Sequence, residues 1–441
     1  MIRTFTLGLM ASALLLGTPA SVRAAPKPIL IESVTVIDVA TGQRHSGMTV
    51  LIGESKIIQV AARVAAPRAA IRVNGRGKFL IPGLWDMHTH HQASGVSSLD
   101  LFIAKGVVGT RDMGGDVEFI LPLRDRINRG ELLGPEIVSA GPILDDAPQY
   151  PFRVRVTNAD EARKAVRELK ARGVDFFKVH DHTPREAFYA IAEESARLGL
   201  PFAGHVPIGV TINEAATSGI KSIEHLSNYQ VFRECSGKEL YSRAACDALF
   251  KKLAANGVWQ TPTMTFFQMI PAMFSGVAPD HVEYASDSLK ALWDSNTKDT
   301  KLSESDLNYF RQNGSASLEA IRDLHHSGNR LLAGCDGIVP GFCLHDELEW
   351  FTKAGLSAFE ALQTATINSA RFLGREKTQG TIEVGKQGDV VMLDADPLTD
   401  IRNVRRIAAV VVRGRLIQRS ELDRMISSHW RATASGSNQD Q

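Results

Sequence analysis

Residues 83–90 read GLWDMHTH, a short apolar run that ends in two histidines. Further runs of similar length and character recur along the chain. They are VVGTRDM (107–113), EIVSAGPIL (136–144), FFKVHD (176–181), PFAGHV (201–206), SIEHL (222–226), WQTPTMTF (259–266) and RLLAGCDG (330–337). Short apolar runs of this kind are typical of buried parallel strands, so the sequence predicts eight of them.

Amphipathic stretches separate many of these runs. Residues 116–130, 158–173 and 183–199 place apolar side chains near a 3.6-residue period, and each stretch ends at a glycine, which predicts helices. Strands that alternate with helices indicate the α/β class, and eight such units predict a (β/α)8 TIM barrel. We assign this barrel to residues 84–376, with insertions at its mouth at about 227–303 that could form a lid.

The two ends of the chain show a different pattern. Residues 25–83 contain short β-rich runs separated by turn glycines, and residues 377–425 contain similar runs, which predicts antiparallel strands. Because neither segment is large enough to stand alone, we expect them to join in one composite β-sandwich. The end of the chain, residues 426–441, is predicted to be a flexible tail.

Residues 1–24 have the layout of a secretory signal peptide, with Arg3, an apolar run from Phe5 to Leu16 and small residues up to Ala24. Cleavage after Ala24 would give a secreted or periplasmic protein. An uncleaved membrane anchor is the alternative, although the apolar run is too short to span a bilayer. No later segment is apolar over a bilayer-spanning length, so we expect no stable membrane insertion after cleavage.

Composition and charge narrow the range of partners. The chain has 441 residues, of which 44% are hydrophobic and 22% charged, and its formal charge is +1. Loss of residues 1–24 would remove Arg3 and Arg23 and no acid, which changes the charge from +1 to −1. Near-neutrality without a basic block argues against nucleic acid as a partner. We expect a small-molecule substrate, and the sequence is compatible with a homo-oligomer.

The chain has four cysteines, Cys235, Cys246, Cys335 and Cys343. Export to an oxidising compartment would favour disulfides. Pairing of each cysteine with its neighbour in sequence is the simplest of three connectivities, and free buried thiols are the alternative. No CxxC pair is present, which argues against a cysteine-based zinc site.

His88 and His90 are two residues apart on the first predicted barrel strand. Side chains at i and i+2 share one face of a strand, so both imidazoles can point to the barrel axis. They lie at the carboxyl end of the strand, where barrel active sites are found. Such a pair alone is a weak signal, because two histidines on one strand face are often incidental.

Four further polar residues lie at or near the carboxyl ends of other predicted strands: Lys178, His205, His225 and Asp336. Imidazoles and carboxylates are the usual protein ligands of zinc and similar divalent ions. Six such residues at five strand ends are much harder to attribute to chance than one pair. The pattern therefore favours a metal site over a collection of core histidines.

Lys178 does not fit a metal site as an ammonium ion, because an ammonium would repel a cation. Phe176 and Phe177 precede it, and an apolar setting would lower the pKa of the amine and favour its neutral form. A neutral amine can react with carbon dioxide to form an anionic carbamate, which can bridge two metals. A lysine that extends to solvent is the alternative.

With these residues in place, the sequence resembles the amidohydrolase superfamily, and in particular its imidazolonepropionase-like and prolidase-like metallopeptidase branch. The similarity extends from about residue 30 to residue 415. The matching stretches are IPGLWDMHTH, GVVGTRDMGG, GPEIVSAGPIL, GVDFFKV, GHV, SIEHLSN, LLAGCDG, AGLSAFEALQTATINSARFLG and GKQGDVVMLDADPL. The resemblance implies a distorted barrel with a composite β-sandwich, in agreement with the reading above.

The resemblance also implies roles for the strand-end residues. His88, His90 and Asp336 would hold a buried metal, His205 and His225 a second metal, and a carbamate on Lys178 would bridge the two divalent ions, expected to be zinc. A hydroxide between the metals would be the nucleophile, with Asp336 as the proton shuttle. Imidazolonepropionase itself matches less well, because that family uses one metal and lacks the bridging lysine.

Other residues are candidates for substrate binding. His180 shares a strand face with Lys178 and could contact substrate, support a ligand or be solvated. Arg153 and Arg155 could clamp a substrate carboxylate, although most loop arginines are solvated. His345 could contact substrate or cap a helix. Arg111 and Asp112 are expected to form an internal ion pair that supports the ligands.

These predictions give an enzyme that hydrolyses the amide bond of a dipeptide or an N-acyl amino acid with a free carboxylate. Hydrolysis of an ester, a lactone or a carbamate at the same site is an alternative, and a catalytically silent binding protein is another. The filled ligand positions argue against the silent protein. In a barrel the loops determine which substrate is bound.

Overall fold

A computed structural model of the protein describes residues 27–65, 67–147, 152–238, 240–297, 302–336 and 339–434. The predicted signal peptide, residues 1–24, lies outside these residues, as do residues 435–441 of the predicted tail. No helix in the described part of the chain combines the length and the apolar character needed to cross a bilayer.

The amino-terminal segment contributes five strands. They are β1 (Ile29–Ile37), β2 (Arg44–Gly53), β3 (Lys56–Ala61), β4 (Ile71–Asn74) and β5 (Phe79–Pro82). β1 is the centre of this group, since it pairs antiparallel with β2 and parallel with β4 and β5.

Ten short strands follow in the central segment, and every predicted run contains at least one of them. They are β6 (Leu84–Thr89), β7 (Val107–Asp112), β8 (Glu136–Ser139), β9 (Ile143–Asp145), β10 (Arg153–Arg155), β11 (Phe177–Val179), β12 (Phe202–Gly204), β13 (Ser222–Glu224), β14 (Trp259–Thr261) and β15 (Arg330–Leu331). The third run differs from the prediction. It divides into β8 and β9 at Gly141, which has a φ of 65°, a conformation that interrupts a strand.

The strands form a barrel from two parallel sheets, in the orders β6-β7-β8 and β10-β9-β11-β12-β13-β14-β15. A few backbone hydrogen bonds join the sheets at both edges. On one side Met87 N donates to Ala333 O at 2.8 Å, and on the other Asp175 N donates to Ser139 O at 2.8 Å. The predicted distorted barrel is confirmed, and its distortion lies at these two seams.

Helices separate the strands. They are α1 (His91–Ser94), α2 (Leu99–Ala104), α3 (Val117–Asn128), α4 (Ala159–Arg172), α5 (Arg185–Leu198), α6 (Ile212–Thr217), α7 (Gln230–Ser236), α8 (Arg243–Ala255), α9 (Met264–Phe274), α10 (Asp287–Thr297), α11 (Glu304–His326), α12 (Phe342–Lys353), α13 (Ala358–Thr364) and α14 (Ile367–Phe372). The three predicted helices correspond to α3, α4 and α5. The predicted mouth insertions at about 227–303 contain α7, α8, α9 and α10, and the predicted barrel strand β14 lies between α8 and α9.

The carboxyl-terminal segment contributes β16 (Val390–Leu393), β17 (Ile407–Val412), β18 (Arg415–Gln418) and α15 (Arg419–Ala434). β16 pairs antiparallel with β5, so both ends of the chain join in one eight-stranded sheet. Apolar side chains from both segments share one cluster under this sheet, among them Ile31, Val50 and Val411. The composite β-structure is therefore confirmed.

The predicted tail is partly wrong. α15 continues through residues 426–434, where we expected a flexible chain. Its apolar residues Leu422 and Met425 are buried in the same cluster as Phe102 and Ile103 of α2. The helix is thus held by packing of one apolar face against the barrel, a contact that its polar composition concealed.

Candidate metal centre

The six residues predicted as ligands lie together at the carboxyl ends of β6, β11, β12, β13 and β15. Asp336 is at their centre. Its Oδ1 is 3.4 Å from Nε2 of His88 and 3.3 Å from Nε2 of His90, and its Oδ2 is 3.5 Å from Nε2 of His225. Ligand atoms of His88, His90 and Asp336 all lie within 4.8 Å of one another, a spacing that a single cation can span.

Each of the four imidazoles has its Nδ1 atom occupied by another partner. Glu224 Oε2 is 2.9 Å from Nδ1 of His88, and Gly114 O is 3.1 Å from Nδ1 of His90. Asp181 Oδ1 is 2.8 Å from Nδ1 of His205, and Thr263 Oγ1 is 2.5 Å from Nδ1 of His225. At His88, His90 and His205 a carboxylate or carbonyl oxygen accepts the proton, so Nδ1 donates and Nε2 keeps a lone pair.

The nitrogen and oxygen atoms of these residues fit a metal ion, as the state of the imidazoles shows. Nε2 of His88 is buried and has no hydrogen-bond partner among the described residues, a rare condition for a polar atom unless something else binds it. Burial lowers the pKa of His88 and of His205 well below the usual value, and it also lowers that of His225. His90 differs, because Asp336 raises its pKa against the effect of burial. Neutral imidazole is the form that binds metals.

Lys178 is only 1% exposed, on β11 inside the barrel. Burial lowers the pKa of its amine to about 8, because an apolar setting penalises the ammonium form. The alternative, in which the Lys178 side chain extends to solvent, is wrong.

The pKa of Asp336 is shifted in the direction that favours its charged form. Burial alone would raise the pKa of its carboxyl, but His225, His90 and Lys178 hold that pKa below its usual value.

Glu224 belongs to this site and was not predicted. Strict alternation along a strand would place Glu224 and His225 on opposite faces. β13 ends at Glu224, however, and His225 has a φ of 58°, in the left-handed region. Glu224 shares the inner face of β13 with Ser222, since both bond to Arg111, and the turn brings His225 into the barrel as well. The pattern SIEHL alone contains no sign of the turn, since histidine is not a residue that requires positive φ.

Arg111 forms an internal ion pair behind a predicted ligand, as expected, but its partner is Glu224 and not Asp112. Arg111 Nη2 donates to both carboxylate oxygens of Glu224 at 2.8 Å. Asp112 instead accepts hydrogen bonds from His91 N at 2.9 Å and from Ser139 Oγ at 3.1 Å. The two residues are adjacent on β7, so their side chains point to opposite faces of the strand.

Asp181 is a second residue that the sequence did not single out. It follows His180, and its carboxylate accepts from His205 Nδ1 and from Asn228 Nδ2 at 2.9 Å. The ring of His180 stacks on that of His205, with centroids 3.9 Å apart. Its Nδ1 lies 3.3 Å from Arg153 Nη2. His180 therefore lies beside the predicted ligand His205, with its side chain 13% exposed.

Three of the proposed substrate-binding residues, Arg153, Arg155 and His345, have other partners within the protein. Arg153 forms an ion pair with the buried carboxylate of Asp145, so its charge is balanced within the protein. Arg155 pairs with Asp146 at 2.7 Å and is largely exposed. His345 is buried in α12, where its Nε2 bonds to Lys105 O at 2.9 Å. The predicted arginine clamp and the role of His345 in substrate contact or capping thus find no support here.

Both disulfides pair neighbours in sequence, as expected. The Cα atoms of Cys235 and Cys246 are 4.7 Å apart, and those of Cys335 and Cys343 are 5.8 Å apart. These separations suit disulfide geometry. The second bridge adjoins Asp336 and links its loop to α12.

The family model described as "Amidohydrolase family" matches residues 79–417, which include the barrel and all six predicted ligands. The chain belongs to the amidohydrolase family. This amidohydrolase is 22% identical over 470 residues to "Ochratoxinase" from Aspergillus niger, covering 89% of this chain and 88% of the relative. Membership in the family makes it a hydrolase of carbon–nitrogen bonds, which confirms the predicted class of enzyme.

Solved structures show the same fold. Bottromycin amidohydrolase has a TM-score of 0.76 and 24% identity, with 93% of this amidohydrolase and 91% of that chain covered. A putative prolidase from Bifidobacterium longum has a TM-score of 0.68 and 23% identity, with 92% and 100% covered. The resemblance to the prolidase-like branch is thereby confirmed at the level of the fold.

Proposed function

We propose that this amidohydrolase cleaves the amide bond of a dipeptide or an N-acyl amino acid. The observation that carries the proposal is the convergence of three imidazole Nε2 atoms on the Asp336 carboxylate at the barrel mouth. The prolidase and the ochratoxinase among the similar proteins support a small substrate with a carbon–nitrogen bond.

His88, His90 and Asp336 would hold one divalent metal ion, His205 and His225 a second, and a carbamate on Lys178 would join them. Zinc suits these nitrogen and oxygen ligands. When bound, such ions supply a nucleophile from water at neutral pH and polarise the substrate carbonyl. The lowered pKa of Lys178 increases the fraction of unprotonated amine at neutral pH, and only that form attacks carbon dioxide.

Asp336 is the residue that we propose to move protons. Its pKa is held below the usual value, so it is ionised at neutral pH and can accept a proton from the attacking water. The same carboxyl then donates that proton to the leaving nitrogen, which must be protonated to depart as an amine. The side chain of Asp336 remains partly accessible, at 18% of its area, which lets it reach both positions.

The mouth of the barrel favours an apolar group on the substrate. α9 begins three residues after β14, and the ring of its partly exposed residue Phe266 lies 6.2 Å from that of His225. Met269 follows on the same helix face and is also partly exposed. An apolar side chain next to the scissile bond could pack here.

We also propose that the protein is exported after cleavage at Ala24. Two cysteine pairs at disulfide separation support an oxidising compartment. Intact mass of the protein recovered outside the cytoplasm would give the mature amino terminus. A full-length chain there would contradict the proposal.

The substrate proposal is tested on protein purified without chelators. Dipeptides and N-acyl amino acids with apolar side chains are compared with aryl esters of matched acyl groups. We expect amide hydrolysis, with two bound metal ions per chain. Cleavage of esters alone would overturn the amide assignment in favour of an esterase, and protein without bound metal would overturn the metal centre.

A further inference from the structure

Arg111 and Glu224 form a buried ion pair inside the barrel, next to the predicted ligand His88. We propose that Arg111 and Glu224 are positioning residues, which orient the His88 imidazole for metal binding. This inference rests on the metal centre of the proposed function. It assigns a role to two residues that are not ligands.

Glu224 contacts the ligand directly. Its Oε2 accepts from Nδ1 of His88 at 2.9 Å, which leaves Nε2 as the atom that faces Asp336. A carboxylate partner of this kind fixes both the tautomer and the rotation of the ring, and it makes the imidazole a more basic ligand. Ser222 Oγ donates to the other oxygen, Oε1, at 2.5 Å, so both oxygens of Glu224 are held.

Arg111 holds Glu224 and the strand that bears His88. Besides its bonds to Glu224, its Nη1 donates to Ser222 Oγ at 2.8 Å and its Nε donates to Met87 O at 2.6 Å. Met87 is the residue before His88. The same guanidinium therefore fixes the backbone on one side of His88 and, through Glu224, the ring itself.

The burial of this group is complete. Glu224 and His88 are 0% exposed and Arg111 is 1% exposed. A buried ion pair gains little stability over apolar side chains of the same volume, because two charges must lose their hydration. Stability alone therefore gives a weak reason for a charged pair in the barrel interior, whereas orientation of a metal ligand gives a specific one.

The other histidines show what is particular to His88. His90 and His225 are oriented by a carbonyl and a hydroxyl group. His205 has a carboxylate partner in Asp181, but that residue is partly exposed at the mouth. The His88 ring alone among these four is backed by a buried carboxylate with its own arginine.

The test compares the affinity of the full-length protein for Zn²⁺, measured by competition with a chromophoric chelator, and the melting temperature of the metal-free protein. The double variant R111M/E224Q removes both charges together and avoids an unpaired buried charge. We expect its dissociation constant for zinc to rise about 10- to 100-fold, with the melting temperature of the metal-free form changed by only a few degrees. E224D, which keeps the charge but shortens the side chain, is expected to weaken zinc binding as well.

E347Q is the matched control. Glu347 lies in α12 and its carboxylate is equally buried, but it accepts from Met264 N and Thr265 N instead of a histidine. We expect its zinc affinity to equal that of the wild type. Unchanged zinc affinity in both R111M/E224Q and E224D would overturn the positioning role alone. A wild-type protein that binds no zinc would overturn the metal centre, and this inference with it.

Discussion

The carboxylate of Asp336 lies 3.3 Å from Nε2 of His90, although 246 positions separate the two residues in sequence. Asp336 has a φ of 59°, and its backbone N–H donates to His88 O at 2.8 Å. The first and last strands of the barrel are thus joined at the residues that would bind metal. The contact that closes the barrel therefore also brings Asp336 next to His88 and His90.

Replacement of Asp336 by asparagine should remove the proton shuttle and keep the shape of the side chain. We expect kcat to fall by about 10²- to 10⁴-fold, the usual contribution of a general acid–base group. Metal content, measured by elemental analysis, should remain close to that of the wild type. Turnover within a few-fold of the wild type would show that another group carries the proton.

Replacement of Lys178 by alanine should release metal as well as abolish activity, because the bridging carbamate cannot form. The matched variant K178M keeps most of the buried volume, so it separates loss of the amine from loss of packing. Both variants should bind less than one metal per chain by elemental analysis. If K178M keeps two metals and full turnover, the bridging assignment is wrong.

The stability of the protein should depend on pH through Glu347. Burial raises the pKa of this carboxyl from 4.5 to about 7. The folded state then binds more protons than the unfolded state between pH 4.5 and 7, so the stabilising contribution is full below pH 4.5 and is lost as pH rises to 7. A shift of this size corresponds to about 3 kcal/mol.

This prediction is checked by urea unfolding of the metal-free wild type and of E347Q at pH 5 and pH 8. Glutamine cannot ionise, so the difference in unfolding free energy between the two pH values should be smaller in the variant. Equal differences in both proteins would mean that Glu347 does not titrate in this range.

The two disulfides should differ in their effect on activity. Cys235 and Cys246 lie 11 positions apart and link α7 to α8, neither of which carries a predicted ligand. Their replacement by alanine should cost about 2–3 kcal/mol of unfolding free energy and leave kcat nearly unchanged. Cys335 adjoins Asp336, so C335A/C343A should lower kcat as well. Equal kcat values for the two double variants would show that the second bridge does not orient Asp336.

Much of this molecule follows from local sequence pattern. Short apolar runs predicted the barrel strands, because the spacing of apolar side chains is a local property. The six predicted ligands came together for the same reason, since all barrel strands present their carboxyl ends at one face. Glycine C-caps predicted the ends of α4 and α5, at Gly173 and Gly199.

Tertiary structure decided how those ligands are oriented. Glu224 shares the inner face of β13 with Ser222, and His225 also faces the barrel because the chain turns into the left-handed region there. Arg111 reaches Glu224 and not its sequence neighbour Asp112, because adjacent side chains on a strand point to opposite faces. Arg153 is paired with Asp145 only after β9 and β10 lie side by side. Local pattern determines which residues stand at the ends of strands, whereas the partners of buried charges depend on which distant strands the barrel brings together.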